Sequence, residues 1–282
     1  MKKVTFDELR AIEADLLYSY DEICRRQGFR YSLGGGSLLG AVRHHGFIPW
    51  DDDVDVMMPR QDYQSFLKYC KESSVPFRVI DNDSDRDYLN LFAKIEAINT
   101  LTDNHSNNKR YGINIDVFPL DGLGNSYEEA KKNFNKTSFQ RELLNACKWK
   151  KFSRSKTHSL YLEPIRLFFF FISRFTNPQK LIKRIEKQMQ KEDFDDSSWA
   201  GCICGSYRVK EIVPRIELSE YDDVKFEDHL LRGISNYKRY LTQHYGDYMK
   251  LPPKEKQISH HTFDAYLLET GDAGYVDQTH RA

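Results

Sequence analysis

The sequence has no long apolar run. Its longest, Leu167-Phe168-Phe169-Phe170-Phe171-Ile172, is bracketed by Arg166 and Arg174 and falls far short of the ~20 residues a membrane-spanning helix needs. Cysteine is scarce: five residues, an odd number, with no C-x-x-C pair. That excludes a disulfide-framed scaffold and the common zinc ribbons. Cys202 and Cys204 stand two apart, which suits neighbouring strand positions, and all five are read as reduced thiols of a cytoplasmic protein. Repeats and low-complexity segments are absent. Acids arrive in Met1-Lys2-Lys3-Val4-Thr5-Phe6-Asp7-Glu8 before any apolar stretch, so no secretory leader is predicted. No RNA- or DNA-binding motif is present, and no nucleic acid is expected as a partner.

Net charge is also lacking, with 42 basic against 42 acidic residues, but the balance is uneven. Between Arg141 and Lys191 there are thirteen Lys and Arg against three Asp and Glu, leaving the rest acidic by ten. Hydrophobic content is ordinary, and 282 residues suffice for one large domain or two small ones.

Chemistry concentrates in Leu33-Gly34-Gly35-Gly36-Ser37-Leu38-Leu39-Gly40-Ala41-Val42-Arg43-His44 and in Pro49-Trp50-Asp51-Asp52-Asp53-Val54-Asp55-Val56. A glycine turn that opens a helix directs backbone N–H groups at an anion; the plainer alternative is a tight turn. Ser37 fits two roles, a phosphate contact or a helix N-cap. Alternation with valine puts Asp53 and Asp55 on one strand face. Such carboxylates repel each other unless a divalent cation such as Mg²⁺ (or Mn²⁺) takes their oxygens and shares them with substrate phosphates. Asn114-Ile115-Asp116-Val117-Phe118 is a second apolar run with one central acid, which a sheet can set beside the first pair. Asp53, Asp55 and Asp116 are therefore the candidate metal ligands and catalytic residues. Asp116 is either the base for an acceptor hydroxyl or a ligand only. Asp51 and Asp52 are expected in a turn.

Along the chain, the Thr5/Glu8 capping-box pattern predicts a helix to about Arg26, ended by Gly28. Strands are predicted over Phe29–Leu33, Val54–Met57, Phe77–Ile80, Phe92–Ile98 and around Asp116, with helices from Gly36 to His44 and from Pro59 onward. Gly122 and Gly124 mark a loop. Ser126 to Lys191 reads as three helices broken near Ser153–Thr157 and Asn177–Pro178, followed by a polar linker, Asp193–Ser198. Short strands and a helix near Ser235–Tyr245 complete the chain. The fold class is α/β (α+β). The expected segments are a catalytic core over 1–125, a basic aromatic helical insertion over 126–198, and a C-terminal return over 199–282.

The order of glycine turn, D-h-D-h and h-D-h (h apolar) resembles the nucleotidyltransferase superfamily. GGGSLLGAVRHHGFIPWDDDVDVMMPRQDY, INIDVFPLDG and YGDYMKLPP, with His260 and His261 downstream, resemble the LicD family of phosphocholine transferases and the more distant fukutin-related proteins. The resemblance runs from about Gly34 to His261 with a weak middle. It implies a nucleotidyltransferase-like mixed sheet. It also implies transfer of phosphocholine from CDP-choline to a sugar hydroxyl of a teichoic acid or other cell-surface glycan, with release of CMP. Another CDP-alcohol, such as CDP-glycerol or CDP-ribitol, is the nearest alternative. True nucleotidyl transfer with loss of pyrophosphate comes next, and a non-catalytic binding module last. The resemblance adds Gly34, Gly35, Gly36, Ser37, Arg43, His44 and Lys94 as nucleotide- or phosphate-binding positions, and Trp50, His260 and His261 as substrate contacts.

For a choline headgroup an aromatic cage is the expected receptor, with Trp50, Tyr237, Tyr240, Tyr245 and Tyr248 available. The basic, phenylalanine-rich middle has three readings: a solvated insertion, a site for a lipid-linked or polymeric glycan acceptor, or a surface lying on an anionic membrane. The last implies a peripheral position on the inner face of the cell membrane.

Overall fold

The computed structural model describes residues 1–104, 111–154, 160–259 and 263–269. They form two compact units. The first comprises residues 1–80, 92–120 and those from 216 onward; the second comprises residues 81–91 and 121–215.

The first unit begins with β1 (Lys2–Lys3) and α1 (Phe6–Gln27). The capping box forms as predicted: the Glu8 N–H donates to Thr5 Oγ1 at 3.3 Å and the Thr5 N–H donates to Glu8 Oε2 at 2.9 Å. Gly28, at φ 74°, ends the helix. Then come β2 (Ser32–Leu33), α2 (Gly35–His44), β3 (Asp55–Pro59), α3 (Arg60–Glu72), β4 (Phe77–Ile80), β5 (Ala93–Ala97), β6 (Thr100–Asn104) and β7 (Asn114–Gly124), which runs on into the second unit.

The second unit adds α4 (Tyr127–Asn135), α5 (Ser138–Cys147), α6 (Glu163–Ser173), α7 (Pro178–Met189), β8 (Trp199–Gly201) and β9 (Val213–Pro214). Its core joins Leu123, Phe134, Leu144, Ile182, Ile185 and Met189, all buried. Four helices stand where three were predicted. The extra break falls at Lys136–Thr137, where no glycine or proline marks it and Thr137 leaves helical geometry at φ −100°, ψ 1°. The predicted Gly122–Gly124 loop is instead the end of β7, paired with β8 through a bulge. Nor is the 193–198 segment a free linker, since Phe194 is fully buried.

The chain returns to the first unit with β10 (Tyr221–Phe226), β11 (His229–Ile234), α8 (Tyr237–Tyr245) and β12 (Phe263–Leu267). Its main sheet has the order β2-β3-β7-β5-β4, with β3 and β7 parallel and the other neighbours antiparallel. A second sheet has the order β1-β12-β6 and a hairpin joins β10 to β11. The core beneath the main sheet contains Leu17, Tyr20, Leu33, Val56, Met58, Phe66, Ile95, Ile115 and Val117, all buried. The mixed α/β class and mixed sheet are those expected. Two boundaries differ: β3 starts at Asp55, leaving Asp53 just outside it, and the strand expected to begin at Phe29 is paired only over Ser32–Leu33.

Gly122 is needed for close approach. A Cβ there would lie 2.1 Å from the Asp193 carbonyl oxygen, whereas one at Gly28 meets nothing within 4 Å and is strained only by its positive φ. Urea unfolding should therefore show Gly122→Ala losing about 2 kcal/mol or more through overpacking against rigid backbone, and Gly28→Ala about 1 kcal/mol. The reverse order would mean that the bulge relaxes freely.

Candidate active site

The glycine turn is bolted to β3 by its own backbone. The Gly34 N–H donates to the Asp55 carbonyl at 2.8 Å and the Leu38 N–H to the Gly34 carbonyl at 3.0 Å. Ser37 is buried, and its hydroxyl accepts from the Asp55 N–H at 2.8 Å. It is therefore the clamp between α2 and β3 rather than an N-cap; Gly34 holds the cap position with no side-chain bond. Gly35 sits at φ +44°, and a Cβ there would lie 3.0 Å from Asp55 Oδ2 and 3.7 Å from the Tyr245 hydroxyl. A Cβ on Gly36 would lie 2.8 Å from Asp51 Oδ2. The first turn of α2 thus faces two carboxylates at van der Waals range, and only glycines leave room between them.

Register does the rest. Asp116 lies opposite Asp55 on one side and Lys94 on the other. The Lys94 ammonium is ion-paired to Asp116 and donates to Asn114 Oδ1 at 2.7 Å. Asp51 is fixed from behind by α1: the Arg10 guanidinium donates to the Ile48 carbonyl at 2.6 Å and to the Asp51 carbonyl at 2.8 Å, and stacks over Phe6.

Charge in this group is frustrated. Burial, then the charges of Asp53 and Asp116, raise the Asp55 carboxyl well above its usual range. Burial and then Asp53 raise Asp51 to about 7, and the two carboxyls share a hydrogen bond. Asp53 itself is exposed, the solvent-facing member of the set. A further member was not singled out in the sequence. Glu13 of α1 is 2% exposed, its Oε2 has no hydrogen-bond partner, and its pKa is raised well above normal by burial and then by Asp53 and Asp52. The available signal was an acid four residues after Leu9, inside the apolar stripe of α1.

Other predicted residues lie elsewhere. Arg43 and His44 occupy the last turn of α2, roughly 12 Å along the helix from Gly35 at 1.5 Å per residue. There Arg43 Nε donates to His44 Nε2 at 2.9 Å and its Nη1 to the Tyr248 carbonyl at 2.8 Å. The His44 ring meets Trp50 edge-on at 6.2 Å. Burial lowers the pKa of both Arg43 and His44. Of the tyrosines, Tyr240 is bound at the turn, where its hydroxyl accepts from the Gly35 N–H at 3.3 Å. His260 and His261 lie outside the described residues.

The donor set suits a hard divalent cation: oxygen ligands only, beside helical N–H groups that favour a phosphate. Among the described residues no three acidic, His or Cys side chains already converge on one point. In EDTA the charge conflict has a measurable sign. Unfolded, Asp51 titrates near 3.8; folded, it holds its proton to about 7. Across that window the unfolded chain has released protons that the folded chain keeps, so stability falls as pH rises. Melting curves should drop by a few degrees between the two limits. The drop should shrink in Asp51→Asn and on adding Mg²⁺; an equal drop in wild type and variant would remove Asp51 from the account.

Three comparisons place the chain among known proteins. Residues 28–196 match the family model described as "LicD/FKTN/FKRP, nucleotidyltransferase domain". The lipopolysaccharide cholinephosphotransferase LicD of Haemophilus influenzae is 30% identical over 275 residues, which is 95% of this chain and all of that protein. The ribitol 5-phosphate transferase FKRP of Homo sapiens, and likewise that of Mus musculus, is 46% identical over 54 residues, 19% of this chain and 11% of the relative. The fold, a mixed α/β unit with a glycine turn set against the β3–β7 pair, agrees with such a domain. The chain therefore belongs to the LicD/FKTN/FKRP nucleotidyltransferase-domain family and is an enzyme of the LicD phosphotransferase type.

Proposed function

We propose that this enzyme transfers phosphocholine from CDP-choline to a sugar hydroxyl of a cell-surface glycan such as a teichoic acid, releasing CMP. The observation that carries the donor choice is the likeness to a cholinephosphotransferase along that protein's whole length. The acceptor oxygen forms a bond to the phosphorus next to choline, the bond from that phosphorus to the CMP oxygen breaks, and the hydroxyl proton passes to a carboxylate. Asp116 is the assigned acceptor of that proton, and Lys94, paired to it, fixes its position. The Gly34 and Gly35 N–H groups are engaged by the Asp55 carbonyl and the Tyr240 hydroxyl, so the donor phosphates would be met by the Gly36 N–H and the positive end of the α2 dipole. Mg²⁺ or Mn²⁺ held by Asp53, Asp55 and Asp116 would supply neutralisation of charge on the diphosphate. Reduced thiols and a nucleotide donor suit a cytoplasmic site of action.

The second reading, transfer of ribitol phosphate from CDP-ribitol, draws on the shorter likeness to the ribitol 5-phosphate transferases. Products separate it from the first, and both from nucleotidyl transfer, which yields pyrophosphate. Incubated with Mg²⁺, a glycan acceptor and each CDP-alcohol in turn, the enzyme should release CMP with CDP-choline and stop in EDTA. Asp53→Asn and Asp55→Asn should each lower kcat by about a hundredfold or more in folded protein, and Asp52→Asn by far less. Turnover in EDTA, or wild-type rates in either of the first two variants, would overturn the metal assignment. CMP from CDP-ribitol alone would move the donor to the second reading.

A further inference from the structure

α6 carries more apolar surface than its unit buries. One face does ordinary core work: Phe169 and Ile172 pack on the buried cluster of the second unit, with the Phe169 ring 5.1 Å from that of Phe139. Phe170 is also engaged, between the Phe152 ring at 5.7 Å and the Arg174 guanidinium at 4.6 Å. The other face is exposed. Ile165, Phe168 and Phe171 recur at helical spacing and are 52%, 53% and 64% exposed, Leu167 beside them is exposed, and Phe175 just past the helix end is 78% exposed. The Phe171 and Phe175 rings lie 5.3 Å apart, so the exposed rings form a patch rather than scattered contacts.

The next helix supplies charge. α7 starts five residues after α6 ends. It buries Leu181, Ile182, Ile185 and Met189 and leaves Lys180, Lys183, Arg184 and Lys187 exposed at i, i+3, i+4 and i+7. On α6 itself, Glu163 is paired with Arg166 at 2.7 Å and leaves no free negative charge at the start of the helix.

We infer that the outer face of α6, with the basic stripe of α7, docks this enzyme on the surface of an anionic phospholipid bilayer. Exposed aromatic rings on one short helix and a basic stripe on the helix next in sequence match shallow burial at the headgroup boundary plus attraction to lipid charge. No helix among the described residues is long and apolar enough to cross a membrane, so the attachment is peripheral and reversible. A second copy of the chain fits less well, because a two-fold pairing of this face brings like charges together. Phe169 and Phe170, at the centre of the apolar run, are partly buried against the unit, whereas Phe168, Phe171 and Phe175 are exposed and are the ones available to lipid.

Vesicle flotation with the full chain tests this. Wild type should bind phosphatidylcholine vesicles containing phosphatidylglycerol at low salt, and bind about tenfold or more weakly to phosphatidylcholine alone or at high salt. Phe168→Ser/Phe171→Ser/Phe175→Ser and, separately, Lys183→Glu/Arg184→Glu/Lys187→Glu should each lose about tenfold in binding with unchanged melting temperature. Phe175→Ser alone, outside the helix, serves if the triple change unfolds the unit. Phe169→Ser should lower the melting temperature instead. Wild-type indifference to anionic vesicles at low salt would overturn the inference. So would full binding by the phenylalanine variant, or a wild-type dimer in sedimentation that this variant alone dissociates. CMP release with a soluble acceptor is unaffected in every case, so this result and that for the donor remain separable.

Discussion

Like charge held at close range is what the first unit is organised around. Asp51, Asp53, Asp55 and Asp116, with Glu13 buried behind them, are brought together by four separate pieces of chain: α1, the 48–54 loop, β3 and β7. No carboxylate gains by this in the absence of a counter-charge. The fold accepts the cost because other contacts over-determine the geometry. Arg10 clamps the loop, the Ser37 hydroxyl and Gly34 amide lock α2 to β3, and parallel pairing fixes Asp55 opposite Asp116. Glycine in the first turn of α2 is then a consequence, since any side chain at Gly35 or Gly36 would enter the space of a carboxylate.

Lys94 is ion-paired with Asp116, and its charge also opposes the raised pKa of Asp53 and Asp55 without cancelling the effect of their burial. The remaining negative charge, to which the donor phosphates would add, is what a divalent ion would neutralise under the proposed chemistry. This division gives the residues different roles. Asp55 and Asp51 lie against the turn, Asp116 is paired with Lys94, and Asp51, its carboxyl raised to about 7, links the turn to Asp53 by a hydrogen bond.

The glycine turn, α2 and the two aspartate strands were legible because local signals and the tertiary fold agree there: the glycine run, the alternation and the flanking apolar residues each point one way. What escaped depended on contacts distant in sequence. Glu13 looked like one more acid on an amphipathic helix until the 51–53 loop was placed beside it. Ser37 fits a phosphate contact or a cap in the sequence because its partner, the Asp55 amide, is eighteen residues away. The Lys136–Thr137 break had no glycine or proline to announce it. The pairing of Gly122 with β8 depends on a strand nearly eighty residues downstream. In α6 the run of phenylalanines concealed two faces with opposite fates, which only the packing of Phe169 and Ile172 separates.

The central claim is that the carboxylates of β3 and β7 form a cation site whose filling relieves their repulsion. Calorimetric titration of Mn²⁺ in two buffers of different ionisation enthalpy tests it most directly. The account predicts saturable binding near neutral pH, strengthened by CDP-choline, with protons released as Asp51 and Asp55 ionise, and loss of that binding in Asp55→Asn. Mn²⁺ that fails to bind with or without the nucleotide, or that binds Asp55→Asn as well as wild type, would contradict it.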